Sequence, residues 1–230
     1  MTSYRVNRSN GALTKVGTVL AASGPDGIIP EWSGHYVYVI NFTSDDVSGY
    51  AINTETGQLS AVPGSPFTAG SQPTSIGATG KVVYALNSGA GTSSGYTISA
   101  STGALTGAPG SPFLMPECCV FPNMTDLDPI HNLLFHSAIG FTAGTDNIRS
   151  YNIQSNGAIS GGSETGGVNG PEAVALDPSY QFVYATEIDG NTGQPEVVSI
   201  KYSPSDGSGS IFSGPLARPK ATPNQIAVSR

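Results

Sequence analysis

Short runs of apolar residues recur along this chain with a nearly constant period. A proline that opens a short apolar strand recurs at spacings of 48, 49, 49 and 52 residues, at Pro25, Pro73, Pro122, Pro171 and Pro223. A second apolar strand follows each of the first four prolines: HYVYVIN (35–41), KVVYALN (81–87), NLLFHSA (132–138) and QFVYATE (181–187). Because both faces of these strands are apolar, we predict that each is sandwiched between neighbouring sheets.

Two further strands complete each repeat. A strand with a tyrosine comes next, at Tyr50, Tyr96 or Tyr151, and a glycine turn then opens the last strand. The clearest copies of this last part are GQLSAVPGSPF (57–67) and GALTGAPGSPF (103–113). Four-stranded units of about 40–50 residues are typical of β-propeller blades. We therefore predict an all-β fold, a single β-propeller domain over residues 1–230, with four complete blades whose strands we name A to D.

The two ends of the sequence carry parts of further blades. Residues 4–20 have the pattern of strands C and D, and residues 222–230 have the pattern of strand A. Together they would leave a blade without its strand B. Propellers normally close by sharing the strands of one blade between the termini, which removes open sheet edges. We therefore expect the sequence to be a fragment of a larger ring.

Composition narrows the possible partners. Charged residues make up 11% of the chain, against roughly 25% in an average soluble domain. The net charge of −7 and the lack of a basic run argue against nucleic acid, whose phosphates require clustered cations. No apolar stretch approaches the ~18 residues of a membrane span. We expect a small-molecule ligand or a protein partner, and no cofactor.

These repeats resemble the lactonase-type seven-bladed propellers, the 6-phosphogluconolactonase-like and YVTN-repeat family. The resemblance is carried by the PGSPF segments, by GPEAVALDPSYQFVY (170–184) and by AGTDNIRSYNI (143–153). It implies a seven-bladed ring and hydrolysis of a sugar lactone or related cyclic ester. It also implies an Arg and a His before strand A and a Glu after strand B. Pro171-Glu172-Ala173 stands in the first place, and Glu187 matches the Glu.

Irregular loops point to one face of the propeller as the binding face. The B–C and D–A connections of a propeller emerge on the same side, which we call the loop face. Three unusual connections fall there: 111–124, 137–147 and the acidic loop 187–196. Long loops in compact folds are disproportionately functional. We therefore predict that a ligand or partner binds at the loop face.

Four residues near these loops are candidate site residues. Glu187 could act as a general acid or base if burial raises its pKa, or it could be a solvated loop carboxylate. Asp146 and Arg149 could form a local ion pair or orient a substrate, and Asp189 is a candidate ligand-binding residue.

The cysteines and histidines do not predict a metal site. Cys118 and Cys119 are adjacent, so they are either two thiols or a strained vicinal disulfide. His131 and His136 fall on a turn and on strand B, which is unsuited to a shared zinc ion. We expect His136 to pack inside the fold.

Two functions remain open from the sequence. One is a lactonase-type hydrolase with Glu187 as acid or base. The other is a non-catalytic propeller that binds a ligand or protein. The low charge, the many Ser, Thr and Gly residues and the missing Arg and His favour the second function, and with it a periplasmic or secreted location.

Overall fold

A computed structural model describes residues 1–115, 124–138, 147–165, 168–189, 192–217 and 219. Within these ranges every regular element is a β-strand, and the strands form five antiparallel sheets. The first sheet is a hairpin of β1 (Thr2–Val6) and β2 (Leu13–Thr18). Each of the other four sheets contains strands in the order A–B–C–D, as the sequence repeat predicts.

The four blades have similar strand bounds. Blade 1 consists of β3 (Pro25–Pro30), β4 (Tyr36–Asn41), β5 (Asp46–Ile52), β6 (Leu59–Ala61) and β7 (Phe67–Thr68). Blade 2 consists of β8 (Pro73–Ala78), β9 (Val82–Asn87), β10 (Thr92–Ile98), β11 (Leu105–Gly107) and β12 (Phe113–Leu114). Blade 3 consists of β13 (Thr125–Asp128), β14 (Leu133–Ala138), β15 (Asn147–Ile153) and β16 (Ile159–Thr165). Blade 4 consists of β17 (Val174–Leu176), β18 (Phe182–Ile188), β19 (Pro195–Tyr202) and β20 (Gly209–Ala217).

The all-β propeller architecture is thereby confirmed. The A strands β3, β8, β13 and β17 contact one another in chain order, as inner strands of successive blades do. The predicted strand openings at Pro122 and Pro223, and the predicted last strand at 222–230, lie outside the described residues. That the ring is larger than this chain stays a prediction.

The PGSPF segments divide strand D in the first two blades. In each, a short piece before the segment and a short piece that begins at its phenylalanine pair with the same strand C. The serine of the segment accepts a hydrogen bond from a strand-C glycine: Gly49 N–H donates to Ser65 Oγ at 3.0 Å, and Gly95 N–H donates to Ser111 Oγ at 3.0 Å. The strongest sequence repeat of the chain therefore has a structural role.

The hydrophobic core lies between the blades. In β4, Tyr38 and Ile40 pack toward blade 2, where they meet Ile76 and Val83. The alternate residue Val39 packs on the other face, against Val19 at the end of the first hairpin. Strand B is thus buried on both faces, as its unbroken apolar pattern predicts.

A tyrosine of strand B forms a hydrogen bond from each of the first two blades to the next one. Tyr38 Oη donates to the carbonyl of Gly103 at 2.9 Å, and Tyr84 Oη donates to the carbonyl of Gly157 at 2.7 Å. Both acceptors lie in the C–D turn of the following blade. The strand-C residue opposite each tyrosine is glycine, because a Cβ at Gly49 or Gly95 would lie within about 3 Å of the tyrosine ring.

Blade 3 makes an equivalent hydrogen bond to the next blade from strand C instead of strand B. Phe135 replaces the tyrosine and Ser150 replaces the opposing glycine. Ser150 Oγ donates to the carbonyl of Asp206 at 2.8 Å, in the C–D turn of blade 4. The hydroxyl has moved from strand B to strand C, and the hydrogen bond between the blades is kept.

We predict that Phe135 and Ser150 are energetically coupled. Ser150→Gly should destabilise the protein by roughly 1–2 kcal/mol, through the lost hydrogen bond and the added backbone freedom. Phe135→Tyr alone should also destabilise it, because the new hydroxyl crowds Ser150. The double variant should recover part of the loss. Urea unfolding of all four proteins measures the coupling. Additive changes in the free energy of unfolding would contradict it.

Candidate functional site

The loop-facing ends of strands B and C carry a layer of polar residues, most of them buried, in each blade. In this polar layer a residue at or near the end of strand B lies opposite a residue at or near the start of strand C. The four pairs are Asn41–Asp46, Asn87–Thr92, Ala138–Asn147 and Glu187–Glu196. Equivalent positions of the repeat therefore hold different chemistry in different blades.

In blades 1 and 2 the side-chain amide of the strand-B asparagine donates hydrogen bonds to strand C. Asn41 Nδ2 donates to Ser48 Oγ at 2.9 Å, and Asn87 Nδ2 donates to Ser94 Oγ at 2.9 Å. The same amides also donate to the paired strand-C residue: Asn41 Nδ2 to Asp46 Oδ1 at 2.6 Å, and Asn87 Nδ2 to Thr92 Oγ1 at 3.0 Å.

Blade 4 instead buries two carboxyl groups opposite each other. Only 4% of Glu187 and 8% of Glu196 is exposed. Where the first two blades have a serine hydroxyl on strand C, blade 4 has Val198, which packs in the core between blades 3 and 4. The carboxyl pair faces that interface, and Asn169 N–H, in the D–A connection, donates to Glu187 Oε2 at 3.0 Å.

This environment raises the pKa of Glu187 to about 7. Burial is the largest cause, and a hydrogen bond with Glu196 and the negative charges of Glu196 and Asp189 add to it. The hydrogen bond from Asn169 N–H opposes the rise. A carboxyl with a pKa near neutrality can both accept and donate a proton at physiological pH, which suits general acid–base chemistry.

Asp189 lies at the start of the B–C turn that follows Glu187. Asp189 Oδ2 accepts a hydrogen bond from Thr192 Oγ1 at 2.7 Å, and its backbone closes the turn with Gly193 and Gln194. The carboxylate therefore stabilises the turn as well as adding negative potential beside Glu187.

Arg149 lies in a different interface. On the neighbouring strand β16, Glu164 forms an ion pair with Arg149. Arg149 is opposite His136 in the sheet, on the face whose Tyr151 packs in the core shared with blade 2. The structure therefore places Arg149 between blades 2 and 3, and Glu187 between blades 3 and 4.

His136 packs inside the fold, in line with the sequence analysis. It is 1% exposed and stacks on Tyr151, with ring centroids 5.7 Å apart. Its Nδ1 lies 3.0 Å from the carbonyl of Ser137. Burial lowers the pKa of His136 to about 4, so the ring is neutral at physiological pH.

Several predicted features lie outside the described residues: Asp146, Cys118 and Cys119, together with much of the loops 111–124 and 137–147. Among the residues that the structure does describe, no group of three or more His, Cys, Asp and Glu side chains is arranged to hold a metal ion. None of the described elements is a helix long and apolar enough to cross a membrane.

Sequence reasoning missed Glu196 and Asn169 as members of the site. Glu196 belongs to the acidic loop 187–196, but its pairing with Glu187 depends on the strand register across that loop. Aligning strand C of blade 4 with the other blades could have found it, because Glu196 occupies the position of Asp46 and Thr92.

Several solved structures have the same fold as this chain, although no protein-family model and no curated protein matches its sequence. A candidate 6-phosphogluconolactonase from Bacteroides fragilis superposes with a TM-score of 0.67 at 21% identity, over 92% of this chain and 62% of that one. A periplasmic gluconolactonase from Pseudomonas aeruginosa superposes with a TM-score of 0.65 at 14% identity, over 92% and 62%. The chain therefore has the fold of the lactonase-type propellers and spans 62% of the length of these two.

We predict that Glu187 makes the protein less stable as the pH rises. The folded carboxyl keeps its proton up to about pH 7, whereas the unfolded one releases it near pH 4.5. The folded state thus binds more protons in this window, and stability falls between these two values. In the wild type, this titration should lower the free energy of unfolding by roughly 1–3 kcal/mol between pH 5 and pH 8. Glu187→Gln should remove that decrease.

The matched control is Glu55→Gln, since Glu55 is an exposed glutamate in the C–D turn of blade 1. Urea unfolding of the three proteins at pH 5 and pH 8 makes the comparison. An unchanged pH dependence in Glu187→Gln would show that this carboxyl titrates normally.

Proposed function

We propose that this protein is a lactonase-type hydrolase that opens a sugar lactone or related cyclic ester, with Glu187 as its acid–base residue. The observation that carries the proposal is the buried Glu187–Glu196 pair at the loop face, together with the pKa of about 7 of Glu187. The fold, shared with a periplasmic gluconolactonase, supports this reaction class.

The proposed chemistry needs one proton acceptor that later returns the proton. The Glu187 carboxylate takes a proton from water while the water oxygen bonds to the lactone carbonyl carbon. The tetrahedral intermediate then breaks its bond from that carbon to the ring oxygen. Glu187 donates the proton to the departing ring oxygen, and the product is the open hydroxy acid. One water is consumed, and Glu187 ends as it began.

The neighbouring residues have supporting roles in this proposal. Glu196 adds to the effect of burial in raising the pKa of Glu187, through its hydrogen bond and its negative charge. Asp189, Arg149 and Asp146 are proposed as ligand-binding residues of the same loop face.

A second candidate function is a non-catalytic module that binds a ligand or a protein at the loop face. Pro171-Glu172-Ala173, where the resemblance implies an Arg and a His, favours this alternative. For either function we propose a periplasmic or secreted location, on the basis of the low charge of the chain and the periplasmic relative in fold.

Lactone hydrolysis by the full chain tests the proposal. We expect the wild type to hydrolyse an aldonolactone, and Glu187→Gln to lower kcat/KM by about 100-fold or more, since general acid–base catalysis contributes roughly 10²–10⁴. Glu55→Gln, the matched surface control, should keep the wild-type rate. If Glu187→Gln is as active as wild type, Glu187 is not catalytic; if no lactone is hydrolysed, the binding module is favoured.

The pH profile separates a catalytic Glu187 from a merely structural one. The wild-type rate should rise with pH with a midpoint near 7, as Glu187 loses its proton. Glu196→Gln removes a negative neighbour, which should move the midpoint to lower pH. A midpoint that is the same in both proteins would contradict the role of the pair.

A further inference from the structure

The A–B turn of blade 1 carries Trp32, which is the only tryptophan in the chain. This residue directly follows Glu31, whose side chain caps the turn. The corresponding positions after the capping residues of the other blades are Gly80, Pro129 and Pro178. The other blades therefore fold without an aromatic residue at this position. In blade 1 the side chain of Trp32 is 45% exposed.

Hydrogen bonds to Glu31 hold the backbone of the turn that carries the indole. The carboxylate of Glu31 accepts hydrogen bonds from Ser33 N–H at 2.7 Å and His35 N–H at 2.9 Å. Burial alone would raise the pKa of Glu31, but hydrogen bonds from the Ser33 hydroxyl and from these N–H groups keep it below its usual value. Trp32 also stacks on Tyr180 of blade 4, with ring centroids 6.2 Å apart and ring planes at 25°. A preorganised aromatic surface loses little entropy when a ligand binds to it.

Trp32 forms one wall of a cavity of about 580 Å³ beside blades 2 and 3. The other walls come from A–B turns, including Lys81 and Asn132, and from the C–D turn at Gln154. A–B and C–D turns emerge opposite the loop face, so this cavity is on the other side of the propeller from Glu187. Its volume falls within the roughly 300–1,000 Å³ of small-molecule sites.

The lining of this cavity combines an aromatic face with a few polar groups and one positive charge. Val82 and Ile153 add apolar surface, while Asn132 and Gln154 offer amide groups that can both donate and accept hydrogen bonds. Lys81 is its charged residue, and no Asp or Glu is among the described residues that line it. An indole can cover the apolar C–H face of a sugar ring, amides suit hydroxyl groups, and an ammonium selects an anion.

We propose that the Trp32 cavity binds a saccharide that carries a carboxylate, such as a uronic acid residue. The sugar ring stacks on Trp32, its hydroxyls bond to Asn132 and Gln154, and its carboxylate pairs with Lys81. The site is independent of the proposed hydrolysis at the loop face.

Tryptophan emission gives a direct assay, because the only indole of the chain lies in the proposed site. We titrate the full chain with trigalacturonate and, separately, with neutral galactotriose. Trigalacturonate should change the emission of Trp32 in a saturable manner and bind more tightly than galactotriose. Lys81→Gln should weaken trigalacturonate binding roughly tenfold, as expected for loss of a charge-assisted hydrogen bond, and should leave galactotriose binding unchanged.

Control variants separate this site from other effects. Lys15→Gln removes an exposed cation from the first hairpin and should bind as wild type does. Glu187→Gln should also bind as wild type does, even if it no longer hydrolyses lactones. Trp32→Ala, followed by calorimetry, should lose binding while keeping the circular dichroism spectrum of the wild type.

Three results would overturn the proposal. The first is no saturable binding of either saccharide by calorimetry. The second is equal affinity of wild type and Lys81→Gln for trigalacturonate. The third is full binding by a folded Trp32→Ala variant.

Discussion

Packing between neighbouring blades is the constraint on which this structure depends. A four-stranded sheet of this kind cannot bury both of its faces by itself, so each strand B must be apolar on both sides and each polar group in an interface must be paired. Hydroxyl-to-carbonyl hydrogen bonds from Tyr38, Tyr84 and Ser150 to the C–D turn of the next blade meet this requirement. They hold successive blades in register while the aliphatic core between them excludes water.

The same constraint explains why the carboxyl pair of blade 4 is unusual. Asn41 and Asn87 donate amide hydrogen bonds to strand-C serines at the equivalent positions, whereas Glu187 and Glu196 place two acids where one charge is already costly. Burial, together with the hydrogen bond and the negative charge of Glu196, raises the pKa of Glu187 to about 7.

Most of the fold could be predicted from the sequence, and only part of the site could. The proline spacing and the apolar pattern of strand B predict blades because both follow from local strand geometry. The resemblance to the lactonase-type propellers singles out Glu187, which the structure places within strand B of blade 4. The pairing of Glu187 with Glu196 depends on register across a loop, and the stacking of Trp32 on Tyr180 joins turns of blades 1 and 4. Such contacts arise only when the blades assemble.

The central claim is that burial opposite Glu196, in the interface between blades 3 and 4, raises the pKa of Glu187. Carbon-13 NMR of glutamate labelled at the side-chain carboxyl, with Glu187→Gln used to assign the resonance, measures this directly across a pH titration. We predict that the Glu187 carboxyl titrates near pH 7 and moves toward 4.5 in Glu196→Gln. A midpoint near 4.5 in the wild type, unchanged by Glu196→Gln, would contradict the claim.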